Sequence, residues 1–172
     1  MNLQKYISTA MSDTDLLNLV DGQAKIEVYP NLYKYHSIDE LLYPFDGCFL
    51  LFCEKPRQGH WVLIHRLPNN HIEFFNSYAG FPDDSLKYIS KSFKKQSNQD
   101  YPYLSKLLYE CPYKIDYNEF KLQKSGMTTQ SCGRWCAIRY LLSNLTLKDF
   151  AKLFKKNGDE LVTWLTMWII GK

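Results

Sequence analysis

Residues 130–142, QSCGRWCAIRYLL, set a cysteine and a glycine at the front of an apolar run. Trp135, Ile138, Leu141, Leu142 and Leu145 recur at helical spacing, which predicts a helix starting near Cys132. The first N–H groups of a helix have no partner within it, and its dipole favours negative charge there. A thiol at that end is therefore pushed toward thiolate, the form of cysteine that attacks carbonyls. Gly133 permits a close backbone approach beside it. Spacing alone allows a plainer role as well: Cys132 and Cys136 as small apolar side chains packing the start of a helix.

Working outward, LQKSGMTTQSC reads as a loop able to wrap a site, and it carries two amides, Gln123 and Gln130. Downstream, Thr146 is placed to cap TLKDFAKLFKK, Asn157-Gly158 to stop it, and Asp159 to cap DELVTWLTMWII. Trp164 and Trp168 in that last helix read most simply as core, with an exposed aromatic patch for a partner as the alternative. Upstream, Ser12 or Asp13 caps DTDLLNLV, IEVYPNLYKY reads as extended, and Ser37 with Glu40 forms a capping box. GCFLLFC is a buried strand, and GHWVLIHR and HIEFFN form a hairpin around LPNN. DDSLKYISKSFKK reads as one helix opening at Asp83 or Asp84, and YKIDYNEFKLQ holds at least one further strand. The expected fold is α+β, a central mixed or antiparallel sheet flanked by helices, with residues 1–172 as a single domain.

Composition narrows the function classes. Lys plus Arg number 21 against 18 Asp plus Glu, and the resulting +3 does not by itself predict nucleic-acid binding. Five cysteines, an odd number, in a chain whose first residues lack an apolar signal core point to free thiols in a reducing compartment. The longest apolar runs fall short of the roughly 20 residues of a membrane helix. The pairs Cys48/Cys53 and Cys132/Cys136 have no partner His or Cys at familiar zinc spacing, so no metal is expected.

Of four histidines, only His60 has a telling context. Closing the hairpin with a five-residue loop, Arg66 to Asn70, matches Ile64 with Ile72 and Val62 with Phe74. The same register sets His60 across from Asn76, whose amide oxygen then fixes the imidazole tautomer. His36, His65 and His71 read as structural.

The ordered set GHW, FFNSYAG, LQ and CGRWC resembles the clan of cysteine proteases that holds adenovirus maturation proteases and SUMO-specific proteases. The resemblance runs from about Cys48 to Leu145 and is nearest to proteases of large DNA viruses and their virophages. It implies Cys132 as nucleophile, His60 as general base, Asn76 as the residue that orients the ring, and Gln123 as oxyanion donor. Trp61 and Gly133 would line the substrate. The family commonly carries Asp or Glu where this chain has Asn76. A resting thiolate–imidazolium pair balances its own charge, so an amide suffices for orientation. Gln123 precedes Cys132 by nine residues, a longer gap than many relatives show, which keeps Gln130 open as the donor.

The resemblance implies an endopeptidase needing no cofactor, maturing viral capsid or structural precursors in the virion or a cytoplasmic viral factory. Its runner-up is removal of ubiquitin-like modifiers; acyl transfer and a catalytically silent binding module are the remaining classes. Adenovirus relatives use DNA as a cofactor, which draws notice to Lys87, Lys91, Lys94 and Lys95 on one predicted helix, although a solvated surface explains them better.

Overall fold

The structure is a computed structural model that describes residues 3–126 and 128–171. Strands β1 (Lys25–Val28), β2 (Gly47–Lys55), β3 (Gln58–Leu67), β4 (His71–Phe75) and β5 (Lys114–Tyr117) form a sheet in the order β1-β2-β3-β4-β5. The inner pairs β2/β3 and β3/β4 are antiparallel; the outer pairs β1/β2 and β4/β5 are parallel. The sheet is therefore mixed, and helices flank it. The helices are α1 (Leu3–Ile7), α2 (Asp13–Leu19), α3 (Ile38–Leu42), α4 (Lys91–Gln96), α5 (Tyr103–Tyr109), α6 (Cys132–Leu141), α7 (Leu147–Leu153) and α8 (Gly158–Ile170).

Strand alternation fills a core on each face. Phe49, Leu51, Trp61, Leu63 and Phe75 meet Leu16, Trp135, Ile138, Phe150 and Val162 from α2, α6, α7 and α8. Leu50, Phe52, Val62, Ile64, Ile72 and Phe74 meet residues of α3 and α5 on the other face. Burial on both faces is why GCFLLFC is apolar without alternation. It also sends Cys48 and Cys53 into opposite cores, so they do not form a chelating pair.

Several helix starts follow their local signals. Ser12 Oγ accepts from the Asp15 N–H at 3.1 Å while the Asp15 carboxylate accepts from the Ser12 N–H at 3.0 Å, a complete capping box. Ser37 and Thr146 cap α3 and α7 through their hydroxyls. Each cap contributes about 1 kcal/mol.

Other segments depart from the sequence expectation. IEVYPNLYKY is extended only through Val28, where Pro30 ushers in a 3₁₀ segment, Tyr29–Lys34. DDSLKYISKSFKK is two elements, a 3₁₀ segment Asp84–Tyr88 and α4, because the Ser90 hydroxyl accepts the Phe93 N–H and starts a new helix. Lys87 is thereby separated from Lys91, Lys94 and Lys95, and the four share no single helix. Asn157, at φ 53°, precedes α8, and Asp159 sits inside the first turn instead of capping it. Trp164 and Trp168 are 53% and 58% exposed, since α8 turns Val162, Thr163 and Thr166 inward.

The hairpin register is also corrected. Ile64 pairs with Phe74 and Leu67 with His71, two residues from the expected alignment. Asn69 and Asn70 adopt φ of 63° and 58°, which closes a tighter turn than the five-residue loop assumed. A slip of two preserves faces, so His60 and Asn76 stay on the same side.

The shifted register brings His65 opposite Glu73, and a buried charge cluster forms there. His65 Nε2 lies 2.8 Å from Glu73 Oε1. Arg139 of α6 grips both carboxylate oxygens, Nε at 2.7 Å and Nη2 at 2.9 Å, and also donates to the Leu142 and Leu145 carbonyls. This cluster ties α6 to the sheet and so fixes the height of its first residue.

Candidate active site

Cys132 is the first residue of α6, and the residue before it would ordinarily cap the helix. Ser131 does not: its hydroxyl donates to Asp159 Oδ1 at 2.5 Å, and no side chain caps the leading N–H groups. Asp159 is buried and accepts as well from Trp135 Nε1 at 2.8 Å and from the Lys124 N–H at 3.0 Å. One carboxylate therefore moors α6 to the loop that holds Gln123. The leading amides are left for the sulfur. The backbone amides of Trp61, the residue that follows His60 in β3, of Gly133 and of Cys132 itself act on the sulfur. Burial pushes the thiol above its ordinary range while these amides pull it back.

Gly133 earns its place by packing. A Cβ there would stand 3.1 Å from Met11 Cβ and 3.2 Å from Trp61 Cδ1, tighter than ordinary contact. Gly133, implied to line the substrate, is enclosed and lines neither of the two grooves that flank β3, and its amide acts on the sulfur. Gly59, beside His60, is more constrained, since a Cβ would fall 1.8 Å from the Phe52 carbonyl oxygen.

His60 Nε2 is 2.8 Å from Asn76 Oδ1. Asn76 cannot be turned around: its Oδ1 also accepts the Tyr78 N–H at 2.9 Å, and its Nδ2 faces Ser85 Oγ at 3.4 Å. The imidazole must therefore donate from Nε2, which leaves Nδ1 unprotonated in the neutral ring. Asn118 holds the Asn76 backbone on both sides, accepting its N–H at 3.0 Å and donating to its carbonyl at 2.6 Å. The Tyr78 ring stacks on the imidazole, centroids 4.9 Å apart. Ala79, at φ 69°, takes a left-handed conformation that folds this turn back over His60, local strain of a kind found at functional sites.

Burial pushes His60 down to about 4, against an upward pull from the Asn76 bond. Both groups are buried, and burial works against the charged form of each, raising the thiol and lowering the imidazole. Asn76→Asp is expected to raise the His60 midpoint by on the order of one pH unit or more, because a carboxylate favours imidazolium. Asn76→Ala removes the only upward pull named and should lower it. Titration of the His60 ring by NMR measures both; unchanged midpoints would overturn this account.

Gln123 is buried against the same turn. Its Oε1 accepts from Ser77 Oγ at 2.7 Å, and its Nε2 donates to Tyr78 Oη at 3.0 Å and to the Thr129 carbonyl at 3.3 Å. Gln130 is elsewhere, lining a groove of about 480 Å³ with Met11, Gly59 and Trp61. Trp61 is nearly buried there, its indole N–H donating to the Met11 carbonyl at 3.1 Å. A second cleft, about 650 Å³, is lined by His60, Asn76, Tyr78, Ser85, Lys87 and Lys121 among others. His60 and Trp61 point to opposite sides of β3, so one faces each groove.

Sequence reasoning missed Tyr78, Asn118 and Asp159. Tyr78 lay inside a quoted motif but had no assigned part. Asn118 carries no local signal, because its partner is 42 residues away. Asp159 was visible only as a cap. Among the described residues no group of three or more His, Cys, Asp or Glu could hold a metal, all five cysteines are free, and no helix is long and apolar enough to cross a membrane.

Fold and site together define an α+β protein with a mixed sheet, a cysteine at an uncapped helix start, and a histidine–asparagine pair whose histidine precedes Trp61, the strand residue whose amide acts on that cysteine. No protein-family model matches the chain. The sequence is 46% identical over 172 residues to uncharacterized protein V9 of Sputnik virophage, covering 96% of this chain and 98% of that one. The chain belongs to the family of that virophage protein. Among solved structures it is similar to the central domain of uncharacterized Lpg1148 from Legionella pneumophila, at 12% identity and TM-score 0.46, over 95% of this chain and 99% of the other. It is similar also to the C-terminal Ulp1 protease domain in complex with Smt3, the yeast ortholog of SUMO, at 13% identity and TM-score 0.45, over 95% and 78%.

Proposed function

We propose that this chain is a cysteine endopeptidase acting on viral structural precursors, with Cys132, His60, Asn76 and Gln123 as its working set. The observation that carries the reading is the His60–Asn76 hydrogen bond of 2.8 Å, which leaves Nδ1 free, one residue before the Trp61 amide that acts on a sulfur held at an uncapped helix start. The two grooves flanking β3 suit an extended polypeptide, and a virophage relative suits a viral role.

In this reading His60 Nδ1 takes the thiol proton as sulfur attacks the scissile carbonyl. The carbon–oxygen π pair moves onto oxygen, and the Cys132 N–H and the Gln123 side of the cleft stabilise that charge. Collapse expels the amine, which receives the proton from His60, and water then hydrolyses the thioester. No metal or cofactor is required. Gln123→Ala is expected to lower kcat by about 10² to 10³ with a smaller change in KM, measured on any cleaved precursor.

The deciding experiment incubates the purified protein with structural precursors from the same genome and reads new termini by mass spectrometry. Conjugates of a ubiquitin-like modifier run in parallel. Cleavage of conjugates alone would move the assignment to deconjugation, and cleavage of neither would end the peptidase reading.

A further inference from the structure

Tyr78 touches three of the four members of the proposed set, His60, Asn76 and Gln123. Its backbone N–H donates to Asn76 Oδ1, its ring stacks on His60, and its hydroxyl accepts from Gln123 Nε2. The Cys132 thiolate is among the charges acting on its phenol, which burial first and that charge second push up to about 12. The phenol therefore stays protonated wherever the enzyme would work. Its own proton is given to no acceptor among the described residues, and the half-buried side chain lines the cleft shared by His60 and Asn76. Gln123 is differently placed. An amide nitrogen has two protons, and here one goes to the Thr129 carbonyl and the other to Tyr78 Oη.

We propose that the Tyr78 hydroxyl is the side-chain donor that meets the oxyanion formed when Cys132 attacks a carbonyl, with Gln123 acting through it. The inference rests on the cysteine-peptidase reading and goes beyond it by adding a catalytic residue. Gln123 Nε2–H donates to Tyr78 Oη, which polarises the phenol and aims its O–H into the cleft; hydrogen bonds in such chains strengthen one another. The two donors to the charge are then the Cys132 N–H and the Tyr78 O–H, an amide and a hydroxyl.

Two reagents separate this role from the others. p-Nitrophenyl acetate acylates a thiol through a tetrahedral oxyanion: the S–C bond forms, the π pair moves to oxygen, and p-nitrophenolate leaves with the C–O bonding pair. Iodoacetamide alkylates the same sulfur by displacing iodide, and no oxyanion forms. Tyr78→Phe keeps the ring over His60 and removes only the hydroxyl. It is expected to slow acylation of Cys132 by on the order of 10- to 100-fold while alkylation stays within about twofold of wild type. Gln123→Ala should slow acylation selectively as well. Undiminished acylation in Tyr78→Phe would overturn the proposal while leaving the peptidase reading intact. A parallel fall in both reactions would reduce Tyr78 to support for His60. Cys132→Ala protein that consumes both reagents as fast as wild type would defeat the parent reading too.

Discussion

Cys132→Ala and His60→Ala proteins are expected to cleave substrate on the order of 10⁴-fold or more slowly than wild type. Removing the sulfur leaves the Trp61 and Gly133 amides converging on empty space, with nothing to attack a carbonyl. Removing the imidazole leaves a buried thiol whose ordinary range is already raised and which has lost its proton acceptor. The His60 change strands no acceptor, because Asn76 Oδ1 still accepts from the Tyr78 N–H. The two losses should not add, since thiol and base act as a unit. Alkylation by iodoacetamide at neutral pH provides a check without substrate: it should be lost in Cys132→Ala and strongly slowed in His60→Ala. Retained turnover in either protein would remove the mechanism.

Arg139→Met should destabilise the fold by about 3–5 kcal/mol, read as a lowered urea midpoint. Arg139 and Glu73 are both buried, and the guanidinium supplies two of the hydrogen bonds on that carboxylate. Methionine leaves Glu73 with His65 alone and deprives the Leu142 and Leu145 carbonyls of their donor. Burial by itself would raise the Glu73 carboxyl, but hydrogen bonds from His65 and Arg139 outweigh it and hold the group below the usual carboxylate range. A depressed carboxylate contributes stability above its unfolded value, and that stability is lost as pH falls through the folded one. In Arg139→Met the acid loss should begin at higher pH. Replacing Glu73 and Arg139 together with apolar residues should recover much of the deficit, because no buried charge is then left unpaired. A single-mutant cost below about 1 kcal/mol would show that the cluster does not hold α6 on the sheet.

Local chemistry made a good share of this legible. Ser12, Ser37 and Thr146 announced their helices because a cap needs only its own next three residues. GCFLLFC announced a central strand because both faces of it are covered. The start of α6 at Cys132 followed from apolar spacing, and His60 and Asn76 were paired by a hairpin argument whose register was wrong by two. That error was harmless for a physical reason: strand faces repeat every two residues, so the side chains still converged.

Less visible was whatever depended on distant segments. The Ser90 cap that splits residues 83–95 competes locally with a continuous helix, and apolar spacing did not weigh that competition. The exposure of Trp164 and Trp168 depends on which face of α8 meets α6 and α1. Two polar readings changed most: Asp159, expected to cap its helix, instead accepts from Ser131, and Gln123, expected to face the substrate directly, is engaged by Tyr78 and Thr129.

By itself, then, the order of residues determined the α+β layout, the helix that begins at Cys132 and the shared face of His60 and Asn76. Those are matters of period and of short-range hydrogen bonding, which each stretch of chain carries within itself. Tertiary structure alone decided the tautomer of His60, the burial that bears on Cys132 and His60, the mooring of α6 by Asp159 and Arg139, and the place of Tyr78. Each of these depends on burial and on partners tens of residues away, and desolvation has no value until the chain has closed around the group.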